Sequence, residues 1–226
     1  MALMECGMEK YRFDAVLDKK TSEKCRDLDG KVFLLKDADE GKNYPPMHPN
    51  CRSLAVAVID RKFTKNMTRM ATDPKTGETQ EIPFDMGYRE WEAWQKAGAP
   101  NIEKWEKLRL TEEQKKDIMS RDWSKTAFRT VEDVERHKSH LPQYGLENME
   151  DYEEHARKLL SMPITRESPA MIRPDGSLAR HFYKTNDFVA TKKNWSDLGT
   201  MFKPDESDVY WRNQYERNAQ LSGVRK

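Results

Sequence analysis

Cysteine is scarce: Cys6, Cys25 and Cys51 are the only three in 226 residues. An odd, sparse count does not build a disulfide scaffold, so folding in a reducing cytoplasm is expected. Hydrophobic residues are also few, 36% against 35% charged. Each core must therefore be small. Long apolar runs are missing, and nothing approaches the roughly 20 residues of a transmembrane helix. No membrane partner is expected. The first ten residues lack the continuous apolar stretch of a signal peptide, so ordinary secretory export is not expected either. Charge of one sign is lacking too. Forty Lys and Arg balance 39 Asp and Glu for a formal net charge of +1. No global field draws the chain to nucleic acid, and such a site must come from local clustering.

What is present reads as an α+β protein in three regions. Residues 1–60 carry short strand-like runs at 12–17, 31–35 and 53–59, separated by Asp29-Gly30 and a turn-rich stretch at 40–50. Residues 61–128 read as a connector with short helices. It has a turn at Asp73-Pro74-Lys75-Thr76-Gly77 and aromatics Tyr88, Trp91 and Trp94 at helical spacing, a packing stripe rather than a base-stacking platform. Ile102, Trp105 and Leu108 repeat that spacing, and Thr111 with Gln114 forms a capping box. Residues 129–226 begin with helices capped by Thr130 and Asn148, the second with an apolar face of Tyr152, Ala156, Leu159 and Leu160. Strands follow at 170–173 and 178–183 around Pro174-Asp175-Gly176-Ser177, then at 187–191 and 198–203, with a polar helical tail from Tyr210. Acidic side chains outnumber basic ones over 132–160, and the reverse holds over 165–226, as a phosphate-binding face would require.

Cys25, His48 and Cys51 form a set of soft and borderline metal ligands. Zn²⁺ takes four such groups, and Cys6 or Asp18 are the candidates for the missing one. A structural zinc within residues 18–51 is one reading; buried cysteines beside a hydrogen-bonded His are the other. The same residues lie in two blocks: Cys25-Arg26-Asp27-Leu28-Asp29-Gly30-Lys31-Val32-Phe33, then Pro45-Pro46-Met47-His48-Pro49-Asn50-Cys51-Arg52. Their order resembles the C-terminal part of the MuF-like domain of phage head-morphogenesis proteins. That resemblance implies a minor capsid protein that sits inside the head of a tailed phage, with portal and capsid proteins as partners. The virion interior or the bacterial cytoplasm is then the expected location.

Some MuF-like proteins carry a C-terminal toxin domain, and residues 130–215 are similar to one group of these. His137 precedes a Tyr152-centred helix. The Asp175-Gly176 hairpin follows, then Lys184-Thr185-Asn186-Asp187-Phe188, Gly199-Thr200-Met201-Phe202-Lys203-Pro204 and Tyr210-Trp211. This order resembles the phage-borne barnase–EndoU–colicin–RelE nucleases, in which helices pack on a curved antiparallel sheet. The resemblance implies a ribonuclease toxin with RNA as substrate, an immunity protein as partner and no catalytic cofactor. Lys138 stands where that group often has glycine, and His181 where it often has tyrosine. Cleavage by attack of the 2′-hydroxyl needs a base, an acid and donors around the phosphate. His137 is the first choice for acid or base, with His140 one turn on. Arg180 is favoured as the phosphate ligand, with Thr200 and Lys203 beside it in the catalytic set. Lys184 and Tyr210 complete the substrate-binding set. His181 alternates with Arg180 and must point to the other sheet face. His155 reads as a surface residue. The competing expectation is a structural capsid component with no enzymatic activity.

Overall fold

In the computed structural model, which describes residues 7–58, 64 and 67–222, the first regular element follows from simple alternation. Tyr11 and Phe13 are buried and Lys10 is exposed, the period-two pattern of a strand. This strand, β1 (Lys10–Asp14), is the centre of an antiparallel sheet ordered β2–β1–β3, with β2 at Val32–Leu34 and β3 at Leu54–Ala57. The expected run at 53–59 ends early, and Ile59 lies outside the described residues. Helix α1 (Glu23–Leu28) is capped by Ser22, whose hydroxyl accepts from the Cys25 N–H. After it Gly30 takes φ 76°, where a side chain would be strained, and its N–H reaches the Phe13 carbonyl at 2.6 Å.

Asp29, read in the sequence as half of a turn, is the hub of this first unit. Its carboxylate is fully buried and forms an ion pair with Arg69 at 3.0 Å. It also accepts the backbone N–H of Ala15 and of Tyr88, each at 2.8 Å. One side chain thus joins the end of β1, strand β4 (Thr68–Thr72) and the start of helix α2 (Tyr88–Lys96). A carboxylate at a helix N-terminus has the favourable sign for the helix dipole.

Strand β4 pairs with β5 (Thr79–Pro83) around the expected turn, closed by Asp73 N–H to the Glu78 carbonyl at 2.8 Å. Neither strand was legible, because each buries only one residue, Ala71 or Ile82. Tyr88, Trp91 and Trp94 are all buried, so the aromatic stripe of α2 packs and does not stack bases.

The chain forms two compact units, one ending at Lys96 and the other beginning at Ala97. The stretch 61–128, read as a connector, is divided between them. Its second part contributes Leu110, Ile118, Trp123 and Phe128 to the core of the second unit.

That unit opens with α3 (Ile102–Glu106) and α4 (Glu112–Ser120). The capping box of Thr111 and Gln114 is present with both of its hydrogen bonds. Helix α5 (Val131–His137) starts at Thr130, runs through a 3₁₀ turn at Lys138–His140 and leads into short α6 (Leu141–Tyr144). Helix α7 (Met149–Ser161), capped by Asn148, buries Tyr152, Ala156, Leu159 and Leu160. Four antiparallel strands follow in sequential order: β6 (Ala170–Ile172), β7 (Leu178–Phe182), β8 (Asp187–Thr191) and β9 (Leu198–Phe202). Every residue of β7 and β8 is buried, so both sheet faces are covered. Leu178, Phe182 and Val189 share a core with α7, while Ala179 and Phe188 share one with Trp211 of α8 (Ser207–Leu221). Helices against an antiparallel sheet make the fold α+β.

Candidate functional site

The alternation of a strand sends Arg180 and His181 to opposite faces, and neither reaches open solvent. Arg180 is completely buried. Its Nη1 donates to the carbonyls of Leu159 (3.0 Å), Leu160 (3.0 Å) and Met162 (2.5 Å), and its Nη2 to those of Pro163 (2.9 Å) and Ser168 (3.2 Å). The last carbonyls of a helix lack partners within it and carry its negative end, and here a guanidinium supplies both donors and charge. Burial lowers the Arg180 pKa to about 10. Arg180 is therefore a plug for the end of α7, and the assignment of this side chain to phosphate is corrected: both terminal nitrogens are committed to carbonyls. His181 is equally buried and stacks on Trp211, with ring centroids 5.8 Å apart.

The histidines of the helical segment gather elsewhere, along the β9 edge. His137 is 4% exposed, and its Nδ1 lies 2.6 Å from the Asp133 carbonyl. A carbonyl only accepts, so Nδ1 carries a proton and donates it. The rings form a ladder: Phe128 to His137 at 4.4 Å, His137 to His140 at 5.9 Å, and His140 to Phe202 at 5.6 Å. Tyr210 closes edge-on against Phe202 at 5.3 Å. Thr200 pairs with Ala190 and Phe202 with Phe188, so Thr200 and Phe202 lie on one face of β9. His140 is half-buried, and burial, reinforced by the charge of His137, holds its pKa below the usual imidazole value.

Lys203 turns to the other face. Its Nζ donates to Asp187 Oδ1 at 2.7 Å and to the Thr185 carbonyl at 2.8 Å, and it lies 4.8 Å from the Tyr144 ring centre. Asp187 is 2% exposed, whereas Lys203 remains half-buried, so the pair joins an interior carboxylate to a partly exposed ammonium. Around it are two groups that sequence reasoning missed. The Tyr144 hydroxyl and His155 Nε2 are buried without hydrogen-bond partners, and their rings are 5.1 Å apart. Burial raises the Tyr144 pKa, and the charge of Asp187 adds to the effect. Burial lowers His155, so His155 is not the surface residue its polar helix implied. No spacing signal marks either residue, because each meets Asp187 only through the fold. Lys184 is exposed on the turn between β7 and β8.

In the first unit Cys25, His48 and Cys51 do converge. Cys25 Sγ is 3.4 Å from His48 Nε2 and 3.8 Å from Cys51 Sγ. Asp18 does not join them: Arg52 grips its carboxylate at 2.5 and 2.9 Å and holds its pKa down. Cys6 lies outside the described residues. Burial pushes the Cys51 thiol up, but hydrogen bonds from the Met47 and Ser53 backbone, the Ser53 side chain and Cys25 outweigh it, and the thiol falls to about 7.

Residues 1–56 match the family model described as Phage Mu protein F like protein. That match covers 56 of 226 residues and contains both blocks with the two cysteines and the histidine. This segment is therefore similar to a phage protein family. No curated protein matches the chain. Asp29 lies inside the matched segment, whereas its partners Arg69 and Tyr88 lie beyond it. Among the described residues no helix is long and apolar enough to cross a membrane.

Proposed function

We propose that the second unit is a metal-independent ribonuclease, carried as a toxin behind a phage MuF-type segment. The observation that supports this reading is His140, half-buried at the β9 edge between the rings of His137 and Phe202. Its lowered pKa keeps it neutral at pH 7, so it is ready to accept the 2′-hydroxyl proton. His137 holds the neighbouring imidazole and is the candidate acid. Phe202 and Tyr210 offer ring faces and edges against which bases can stack. Thr200 can donate to a non-bridging phosphate oxygen. Exposed Lys184 replaces Arg180 as the phosphate cation, and Lys203 acts through Asp187 on the far side of the strand end. An immunity protein that covers the β9 edge would protect a producing cell.

RNA incubated with the full chain should yield fragments ending in 2′,3′-cyclic phosphate. A substrate with a 2′-deoxy sugar at the cleaved position should survive. His140→Ala should reduce the rate at least about 100-fold, the lower end of what a positioned proton carrier contributes. Intact RNA with the wild-type chain, or full cleavage by both His140→Ala and His137→Gln, overturns the reading.

A second reading is favoured by the family match itself. In it the chain is a head-morphogenesis component that binds portal or capsid proteins and cleaves nothing. Recovery of the chain in purified virions, together with inert behaviour toward RNA, would select it.

A further inference from the structure

We propose that Cys25, His48 and Cys51 hold a zinc ion whose fourth position opens to the cleft beside them. Zn–S bonds of about 2.3 Å and Zn–N bonds of about 2.0–2.1 Å, set at tetrahedral angles, place two sulfurs about 3.8 Å apart and a sulfur and nitrogen about 3.5 Å apart. Cys25 Sγ lies 3.8 Å from Cys51 Sγ and 3.4 Å from His48 Nε2. All three ligand atoms lie within 4.8 Å of one another. The two edges that meet at Cys25 therefore have the dimensions of a zinc tetrahedron, and an ion would draw His48 and Cys51 together along the third. A disulfide would need about 2.05 Å between the sulfurs, and both thiols are free.

The tautomer of His48 fits the same role. Its Nδ1 is 2.9 Å from the Pro49 carbonyl, so Nδ1 carries the proton and Nε2 presents its lone pair toward Cys25. A backbone carbonyl on the distal nitrogen is the usual device that orients a metal-bound imidazole. Ser22 Oγ, 2.9 Å from the same Nε2, accepts the Cys25 N–H, which leaves its own proton to donate. The ligands also come from the right places. Cys25 lies in the first turns of α1, and His48 and Cys51 lie on one turn closed by Cys51 N–H to the His48 carbonyl at 3.1 Å. An ion would clamp that turn to the helix over a buried cluster that includes Phe13, Ala15, Cys25 and Met47. Two thiolates and an imidazole select zinc over magnesium or calcium.

Among the described residues no fourth His, Cys, Asp or Glu joins the group. His48 and Cys51 are half-exposed and border an open cleft with Glu40, Pro46 and Met47. Among the described residues the fourth position therefore faces this cleft, with Ser22 placed to hydrogen-bond a ligand there.

Cobalt(II) is the direct probe, added to the reduced full chain stripped of metal. One equivalent should produce the visible bands of a tetrahedral site and a thiolate-to-cobalt charge-transfer band, and one equivalent of Zn²⁺ should abolish both. Cys25→Ser and Cys51→Ser should each lose the charge-transfer band or halve it. His48→Cys supplies a third thiolate at the same place and should strengthen the band, a result that misfolding cannot produce. Azide should shift the visible bands. Absence of stoichiometric binding, or unaltered spectra in both Cys→Ser chains, overturns the site. A visible spectrum indifferent to azide overturns the open position.

Discussion

In the first unit the deeply buried carboxylate of Asp29 meets a buried guanidinium, Arg69, and two backbone N–H groups. In the second unit the buried guanidinium of Arg180 donates to five carbonyls around the end of α7. Both arrangements satisfy a charge withdrawn from water, which would otherwise be very costly. They do so for different reasons. The first unit has short strands, and one buried carboxylate ties three of its elements together. The second has a continuous core of α7, the sheet and the 110–128 segment, and its charge repairs one helix end. Buried charge thus sets the topology of one unit and completes a single element in the other.

That contrast can be broken by substitution. Asp29→Ala leaves Arg69 buried without its counter-charge and should cost about 3–5 kcal/mol. Hydrogen exchange should show the loss of protection within residues 10–96, and loss of equal size in the second unit would break the distinction. Arg180→Met removes the donors to the Leu160, Met162 and Pro163 carbonyls at the end of α7 and should cost about 2–3 kcal/mol in urea unfolding of the second unit. A stable Arg180→Met chain that loses only RNA cleavage would return Arg180 to the phosphate site. A smaller effect is expected from pH. His140 and His155 are both lowered from 6.5 by burial, so the unfolded chain binds more protons than the folded one below that value. Stability of the second unit should therefore fall as pH drops from about 6.5, whereas it changes little above it. His140→Gln with His155→Gln should flatten that slope, and a slope of the opposite sign would show that neither ring is buried as described. The smallest change is Thr111→Ala, which removes an exposed capping box and should cost about 0.5–1 kcal/mol in thermal unfolding.

Legibility followed the range of the interactions. The helix caps at Thr111, Thr130 and Asn148, the hairpin turn before Ser177 and the strand Asp187–Thr191 were all readable, because each depends on residues within a few positions. Strands β4 and β5 were not, because pairing rather than burial holds them and their side chains are mostly polar. The candidate site was legible in part. His137 and His140 stand where the sequence placed them, one turn apart, and Phe202 and Tyr210 join them through the sheet edge. The role of Arg180 was hidden, because an Arg in an alternating strand looks the same whether its face meets solvent or a helix end. His155 and Tyr144 were hidden for the same reason.

Sequence alone determined the α+β texture, the caps and turns, the convergence-ready pair of blocks at Cys25 and Cys51, and the similarity of residues 1–56 to a phage protein family. These depend on local backbone preference and on residue identity at fixed spacing. Tertiary structure decided which charges are interior. Asp29 became a hub, Arg180 a helix plug, and Lys203 the partner of Asp187, since the partners of each lie 12 to 59 residues away or, for Lys203, 16. Only packing that excludes water brings such partners together, and the same packing makes each pairing obligatory.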